Sequence, residues 1–183
     1  MKNHIPKYDS QKISYIQNLI IYFLIFAFIG WILETIYSFI VLGHFTKRGF
    51  LYGPLCPIYG YSAVIMLTSV SKYKDNYLKL FFYSIILFSG FEYVAGFLLD
   101  AIFSIRLWDY TKDFLNLNGR ISIFYSIAWG IIAILFVNYM SPFVENKIKY
   151  LIEKIPSIFR TIVIYIFSGI YLIDTFFSFF KWI

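Results

Sequence analysis

The chain has 183 residues, 60% of them hydrophobic and 14% charged, with a net charge of +6. A soluble domain of this size cannot bury so much apolar surface, so composition excludes that class and predicts an all-α polytopic membrane protein. The positive charge is not a nucleic-acid signal, because Lys and Arg fall mostly between apolar stretches, where they orient a membrane protein and meet lipid head groups.

Residues 1–18 form a polar, basic arm, expected on the cytoplasmic side. The first apolar span is 19–42, interrupted chiefly by Glu34. It is too long for a cleavable signal and should persist as a helix. After a short basic loop, the second span, 50–70, opens with Tyr52, Pro54, Pro57 and Tyr59 among two glycines. Proline removes a backbone donor and clashes with the preceding turn, which predicts a broken or re-entrant entry.

A basic loop, 71–76, leads to the third span, 77–104, which carries Glu92 and Asp100. The longest loop, 106–120, is polar and aromatic and holds Arg106, Trp108, Asp109, Asn118 and Arg120. The fourth span is 121–140. Ser141 and Pro142 read as an N-cap and first helical position, opening an amphipathic interfacial helix over 141–156. The final membrane helix lies within 157–183 and contains Asp174. About five spans follow. The lysine-rich side, with Lys72, Lys74 and Lys147, should be cytoplasmic, as should the N-terminus.

One local pattern occurs twice. Gly30, Leu33, Glu34, Ile36 and Ser38 return in the same spacing as Gly96, Leu99, Asp100, Ile102 and Ser104. The aromatics Trp31 and Tyr37 return as Phe97 and Phe103, and each copy precedes a loop ending in an arginine, Arg48 or Arg120. The expectation is a duplicated membrane unit, 19–70 and 77–140, with a polar site between the repeated helix pairs.

Depth separates the acids. Glu34 lies about 24 Å along its helix from Asn18, at ~1.5 Å per residue. In a hydrocarbon core about 30 Å thick, that places it near the outer interface, with Asp100 at a matching level. Glu92 is two turns deeper, where an isolated charge costs roughly 3 kcal/mol. Arg48, Arg106 and Arg120 are the natural partners of the outer acids. The outer acid–arginine pairs serve equally well as helix clamps or as a binding site, whereas Glu92 is the best single candidate for a functional group.

Cys56 is the only cysteine, which excludes an intrachain disulfide, a CxxC pair and a thiolate cluster. His4 and His44 lack ligand spacing, and no P-loop, HExxH or GxSxG is present, so no metal, cofactor or recognised catalytic motif is expected.

Trp31 with Glu34, the run from Arg48 to Gly60, Glu92 with Tyr93, the stretch Trp108 to Tyr110, Asn116 to Arg120, and Trp129 with Gly130 together resemble the CmpB-type ABC-transporter membrane family. The resemblance covers roughly 22–142. It implies a small, multi-pass protein of the bacterial cell membrane, common in Gram-positive bacteria. It further implies a permease-like role beside a separate ATPase subunit, with membrane lipids as surroundings and a homodimer to enlarge the pathway. The family carries Glu where this chain has Asp100, a shorter acid of the same charge. Two other readings stay open: an intramembrane enzyme acting on lipid head groups or lipid-linked substrates, and a non-catalytic assembly subunit.

Overall fold

The computed structural model describes residues 7–45 and 49–182. It is an all-α polytopic membrane protein. Among the described residues, four helices are long and apolar enough to cross a membrane: Tyr15–Leu42, Tyr77–Phe103, Ile123–Lys147 and Ser157–Trp182. The other expected span, 50–70, is a broken one. Residues 49–56 form no regular element. Helix α2 then runs Pro57–Ile65, followed by a π-helical turn, Met66–Val70. Pro57 stands at the first helical position, where its missing N–H costs nothing.

Helix α1 runs Lys7–Leu42, so the basic arm is helical from Lys7 onward. Helix α3 is Tyr77–Phe103. Asn76 caps it by accepting the Lys79 N–H at 3.0 Å. It ends where Ser104 turns into the left-handed region and donates its N–H to the Asp100 carbonyl. Helix α4 is Ile123–Leu135, α5 is Ser141–Glu153 and α6 is Ser157–Trp182.

The chain divides into two compact units. In the first, α1 packs with the 49–56 segment, α2 and α6 up to Phe177. The Cys56 N–H donates to the Ala27 carbonyl at 2.9 Å, tying the segment to the middle of α1. The Phe23 ring meets those of Tyr61 and Tyr171. Ala27 and Ser38 are fully buried.

In the second unit α3 and α4 form an antiparallel hairpin. Its connection contains a two-stranded antiparallel sheet, β1 (Asn116–Leu117) against β2 (Ile121–Ser122), with Leu117 opposite Ile121. Asn118 and Gly119 both have positive φ, 54° and 68°, as a type I′ turn requires. Leu80, Ser84 and Phe88 face the core of this unit. The connection folds back along α3: the Tyr110 hydroxyl reaches Glu92, and the Asn118 amide reaches the Tyr93 hydroxyl. Glu92 lies about 16 Å below the end of α3 at ~1.5 Å per residue, so the loop descends beside the helix.

Both second helices widen in the same way. α2 runs into the π turn Met66–Val70, and α4 runs into a π turn at Phe136–Met140. The second turn changes one expectation. Ser141 does not start a new helix; it is already helical and donates its N–H to the Phe136 carbonyl. Pro142, which would break a regular helix, follows directly on the widened turn, where the ordinary hydrogen-bond ladder is already shifted.

Candidate functional site

In the second unit, α3 presents Glu92 on the face packed against α4. Glu92 is 5% exposed. One carboxylate oxygen, Oε1, accepts from the Tyr110 hydroxyl at 2.9 Å, and Oε2 accepts from the Trp129 indole N–H at 2.9 Å. Both donors are held by stacking: Trp129 on Phe88 with centroids 5.1 Å apart, and Tyr110 on Tyr125 at 4.2 Å. One turn before Glu92, the Ser89 hydroxyl donates to Ser126 at 2.7 Å, a second polar link between α3 and α4. Among the described residues, no Lys or Arg makes an ion pair with Glu92.

Two turns further along α3, Asp100 meets two arginines from the connection. Arg120 Nη2 lies 2.8 Å from Asp100 Oδ2, and Arg106 Nη2 lies 3.3 Å from the same oxygen. The Arg120 guanidinium also faces the rings of Tyr93 and Phe97, each 5.6 Å away. Trp108 donates its indole N–H to the Arg120 carbonyl at 3.0 Å. Gly96 makes this close approach workable, because a Cβ there would lie 3.3 Å from the Trp108 ring and 3.5 Å from Arg120 Cγ. A small cavity opens among Gly96, Trp108, Arg106 and Arg120.

Asp109 is placed differently from the other acids. It is exposed and turns back on its own loop, accepting the Thr111 N–H at 2.9 Å. That backbone bond, then the Thr111 hydroxyl, then the charges of Arg106 and Lys112, hold its carboxyl below the usual aspartate range. The bond therefore contributes fully above the unfolded aspartate pKa, about 3.9, and is lost as pH falls through the lower folded value. The Thr111 amide resonance in micelles should titrate with a midpoint below that of a free aspartate, and Asp109→Asn should abolish the titration.

In the first unit, Glu34 accepts the Tyr59 hydroxyl at 2.6 Å. Gly30, one turn earlier, lets the Tyr59 ring lie against α1; any Cβ at Gly30 would collide with it. Across the same unit, Asp174 of α6 is held by two successive backbone amides. Tyr52 N–H donates to Oδ1 at 2.8 Å and Gly53 N–H to Oδ2 at 2.7 Å. These amides belong to the irregular segment before α2, which gives them no helical acceptor of their own, and a carboxylate satisfies both. Arg48, the expected partner of Glu34, lies outside the described residues.

The structure thus brings Asp100, Arg106, Arg120 and Trp108 into one cluster, with Asn118 beside it on Tyr93. It sets Glu92 apart with Tyr110 and Trp129, and Glu34 with Tyr59. Tyr52 contributes its backbone to Asp174, while Pro54 and Pro57 shape the entry to α2. Sequence reading missed Tyr110 and Trp129 as partners of Glu92. The signal for Trp129 was present, since Trp129 with Gly130 in the second unit matches Tyr59 with Gly60 in the first. In both, the aromatic tip bonds an acid of the preceding long helix, and the glycine faces close neighbours.

Residues 21–179 match the family model described as "Putative ABC-transporter type IV", the CmpB type. The chain belongs to this family. The match takes in both units, including α6, and so extends well past the 22–142 stretch whose motifs carried the resemblance. No curated protein and no solved structure matches the chain.

Proposed function

We propose that the protein is the membrane-embedded permease component of a transport system. It would work with a separate ATPase subunit in the bacterial cell membrane, with its N-terminus in the cytoplasm. Its two helix pairs, α1 with α2 and α3 with α4, derive from one duplicated plan: a long helix bearing an acid, a connection that folds back along it, and a second helix with an aromatic–glycine pair that runs into a π turn. A homodimer doubles the helices available to line a path.

The observation that carries this reading is Glu92. A carboxylate in the middle of a membrane-length helix costs roughly 3 kcal/mol to insert and marks a functional position by default. Here it is buried, held by two neutral donors, and reached by a loop from one end of the helix. A clamp between helices would be served as well by an amide or a hydroxyl, which carry no such cost. The acid–arginine cluster of Asp100, Arg106 and Arg120 supports an outer polar entrance. Two guanidiniums on one carboxylate oxygen also suit an anionic head group, which gives the lipid-directed reading its own observation.

The test is complementation of a deletion strain, with the small-molecule and lipid profiles of cells and medium as readout. Purification from native membranes in mild detergent should also yield a vanadate-sensitive ATPase with both wild-type protein and Glu92→Gln. Wild type should restore the profile and Glu92→Gln should not. Equal complementation by both would remove Glu92 from the path. A defect confined to lipid head groups, with no ATPase retained, would favour the lipid reading.

A further inference from the structure

The two donors on Glu92 are chemically unequal. An indole N–H only donates, so Trp129 can hold Oε2 whether the carboxyl is charged or neutral. A phenol both donates and accepts. Tyr110 can give its proton to a carboxylate, or accept one from a carboxylic acid after its own hydroxyl has rotated. A charged Glu92 is therefore satisfied at both oxygens, and a neutral Glu92 is satisfied as well, provided that the proton sits on Oε1 and not on Oε2.

We propose that Glu92 is a proton-binding site in which Oε1 takes the proton and Tyr110 passes it from the loop side. The proposal deepens the permease reading and rests on it only for its consequence in transport. The step is a relay. A hydronium ion on the loop side gives a proton to a lone pair of the Tyr110 oxygen, its own O–H bond breaking to leave a neutral water. The original phenolic O–H bond breaks and its proton bonds to Oε1. Tyr110 ends neutral with the new proton, and Glu92 ends as a neutral acid. Return to the charged state runs the same bonds backward.

The surroundings suit a site that holds a proton alone. Tyr110 is half-buried between exposed residues, Asp109 before it and Thr111 and Lys112 after it, so its ring joins a buried carboxylate to the loop surface. On α3, the neighbours of Glu92 along its face are Ser89 and Gly96. The ionisable Tyr93 beside it engages Asn118. α4 contributes Tyr125 as its only ionisable side chain, stacked on Tyr110. The π turn Met66–Val70 and strand β2 contribute none. Lys72 and Tyr73, from the 3₁₀ turn before α3, gather on Tyr83 far along the helix. Of the connection's charged groups, Arg106 and Arg120 pair with Asp100 of α3, Asp109 accepts the Thr111 N–H, and among the described residues neither Lys112 nor Asp113 makes an ion pair with Glu92. Among the described residues, no fixed positive charge pairs with Glu92 in place of the proton.

Infrared difference spectroscopy on protein reconstituted in phosphatidylcholine vesicles tests this directly. Lowering pH should raise a carboxylic-acid carbonyl band that Glu92→Gln removes. After a pH jump, Tyr110→Phe should slow the appearance of that band by about a hundredfold, the scale of a positioned proton-transfer group. Trp129→Phe, which removes a hydrogen-bond donor but no proton carrier, should shift the pH at which the band appears and slow it far less than Tyr110→Phe does. A wild-type spectrum lacking the Glu92-dependent band at every pH overturns the proposal, as does equal slowing by the two aromatic variants. If Glu92→Gln does not fold, the rate comparison between the aromatic variants decides alone. None of these readings needs an ATPase, so failure to find one would sink the transport reading and leave the proton site standing.

Discussion

Gly60→Ala should destabilise the first unit by about 2–3 kcal/mol, the upper part of the range for overpacking a close contact. A Cβ at Gly60 would lie 2.7 Å from the carbonyl oxygen of Phe23 and 2.7 Å from its ring. The ring can turn aside, but the carbonyl belongs to α1 and cannot. Relief requires α2 to move away from α1, which would also strain the Cys56 N–H bond to the Ala27 carbonyl and the Tyr59 bond to Glu34. Gly169→Ala in the same unit is the control: nothing lies within 4 Å of its Cβ, and alanine gains up to about 1 kcal/mol in a helix interior. Cys56 supplies the measurement. It is the only cysteine and is 4% exposed, so a thiol-reactive fluorophore reports opening of this unit. Thermal scans in detergent should show a clear fall for Gly60→Ala and no fall for Gly169→Ala. Equal behaviour would mean that α2 does not press on α1 as described.

The membrane class and the helix positions were legible because their causes are local. Long apolar runs need no partner to be recognised, and α3 starts and stops at residues whose signals are short-range, Asn76 and Ser104. The break before α2 was equally legible in Pro54 and Pro57. The sheet in the connection was legible too, in Asn118 and Gly119, but the polar, aromatic stretch around them drowned a two-residue signal. The run from α4 into α5 was not readable from composition. Ser141 and Pro142 look like a helix start, and only the widened turn before them lets the helix pass through.

The acids themselves were readable, since a carboxylate in an apolar run stands out by its cost. Their partners were not. Tyr110 lies 18 positions beyond Glu92 and Trp129 lies 37 beyond, and what brings both to one carboxylate is the descent of the connection beside α3. Pairing by proximity in sequence gave arginines to the outer acids, which suits Asp100, and named no partner residue for Glu92. Asp174 was visible as an acid in the last helix, but its clasp by two backbone amides depends on a loop 121 positions earlier and on backbone groups that carry no residue-specific signal.

Arg120→Ala should cost the second unit about 2 kcal/mol, whereas Arg106→Ala should cost no more than about 0.5 kcal/mol. The two arginines meet the same oxygen, and burial separates them. Arg106 is 46% exposed at 3.3 Å, the regime in which water and side-chain entropy cancel most of an ion pair. Arg120 is 17% exposed at 2.8 Å, lies over two aromatic rings, and covers Gly96 with its stem. Removing it leaves Asp100 with one weak partner at 28% exposure, so the cost falls below the 3–5 kcal/mol of a fully buried pair. Asp100→Ala should cost nearly as much as Arg120→Ala, because it strands the same guanidinium. The double variant should then cost less than the sum of the two, with a coupling of about 1–2 kcal/mol. Denaturant unfolding of the purified protein, followed by the near-ultraviolet signal of its aromatic residues, gives all four corners of the cycle. Additive costs would show that Asp100 and Arg120 stabilise the unit separately. Equal costs for the two arginines would show that the connection does not hold Arg120 against α3, and the descent that carries Tyr110 to Glu92 would lose its anchor.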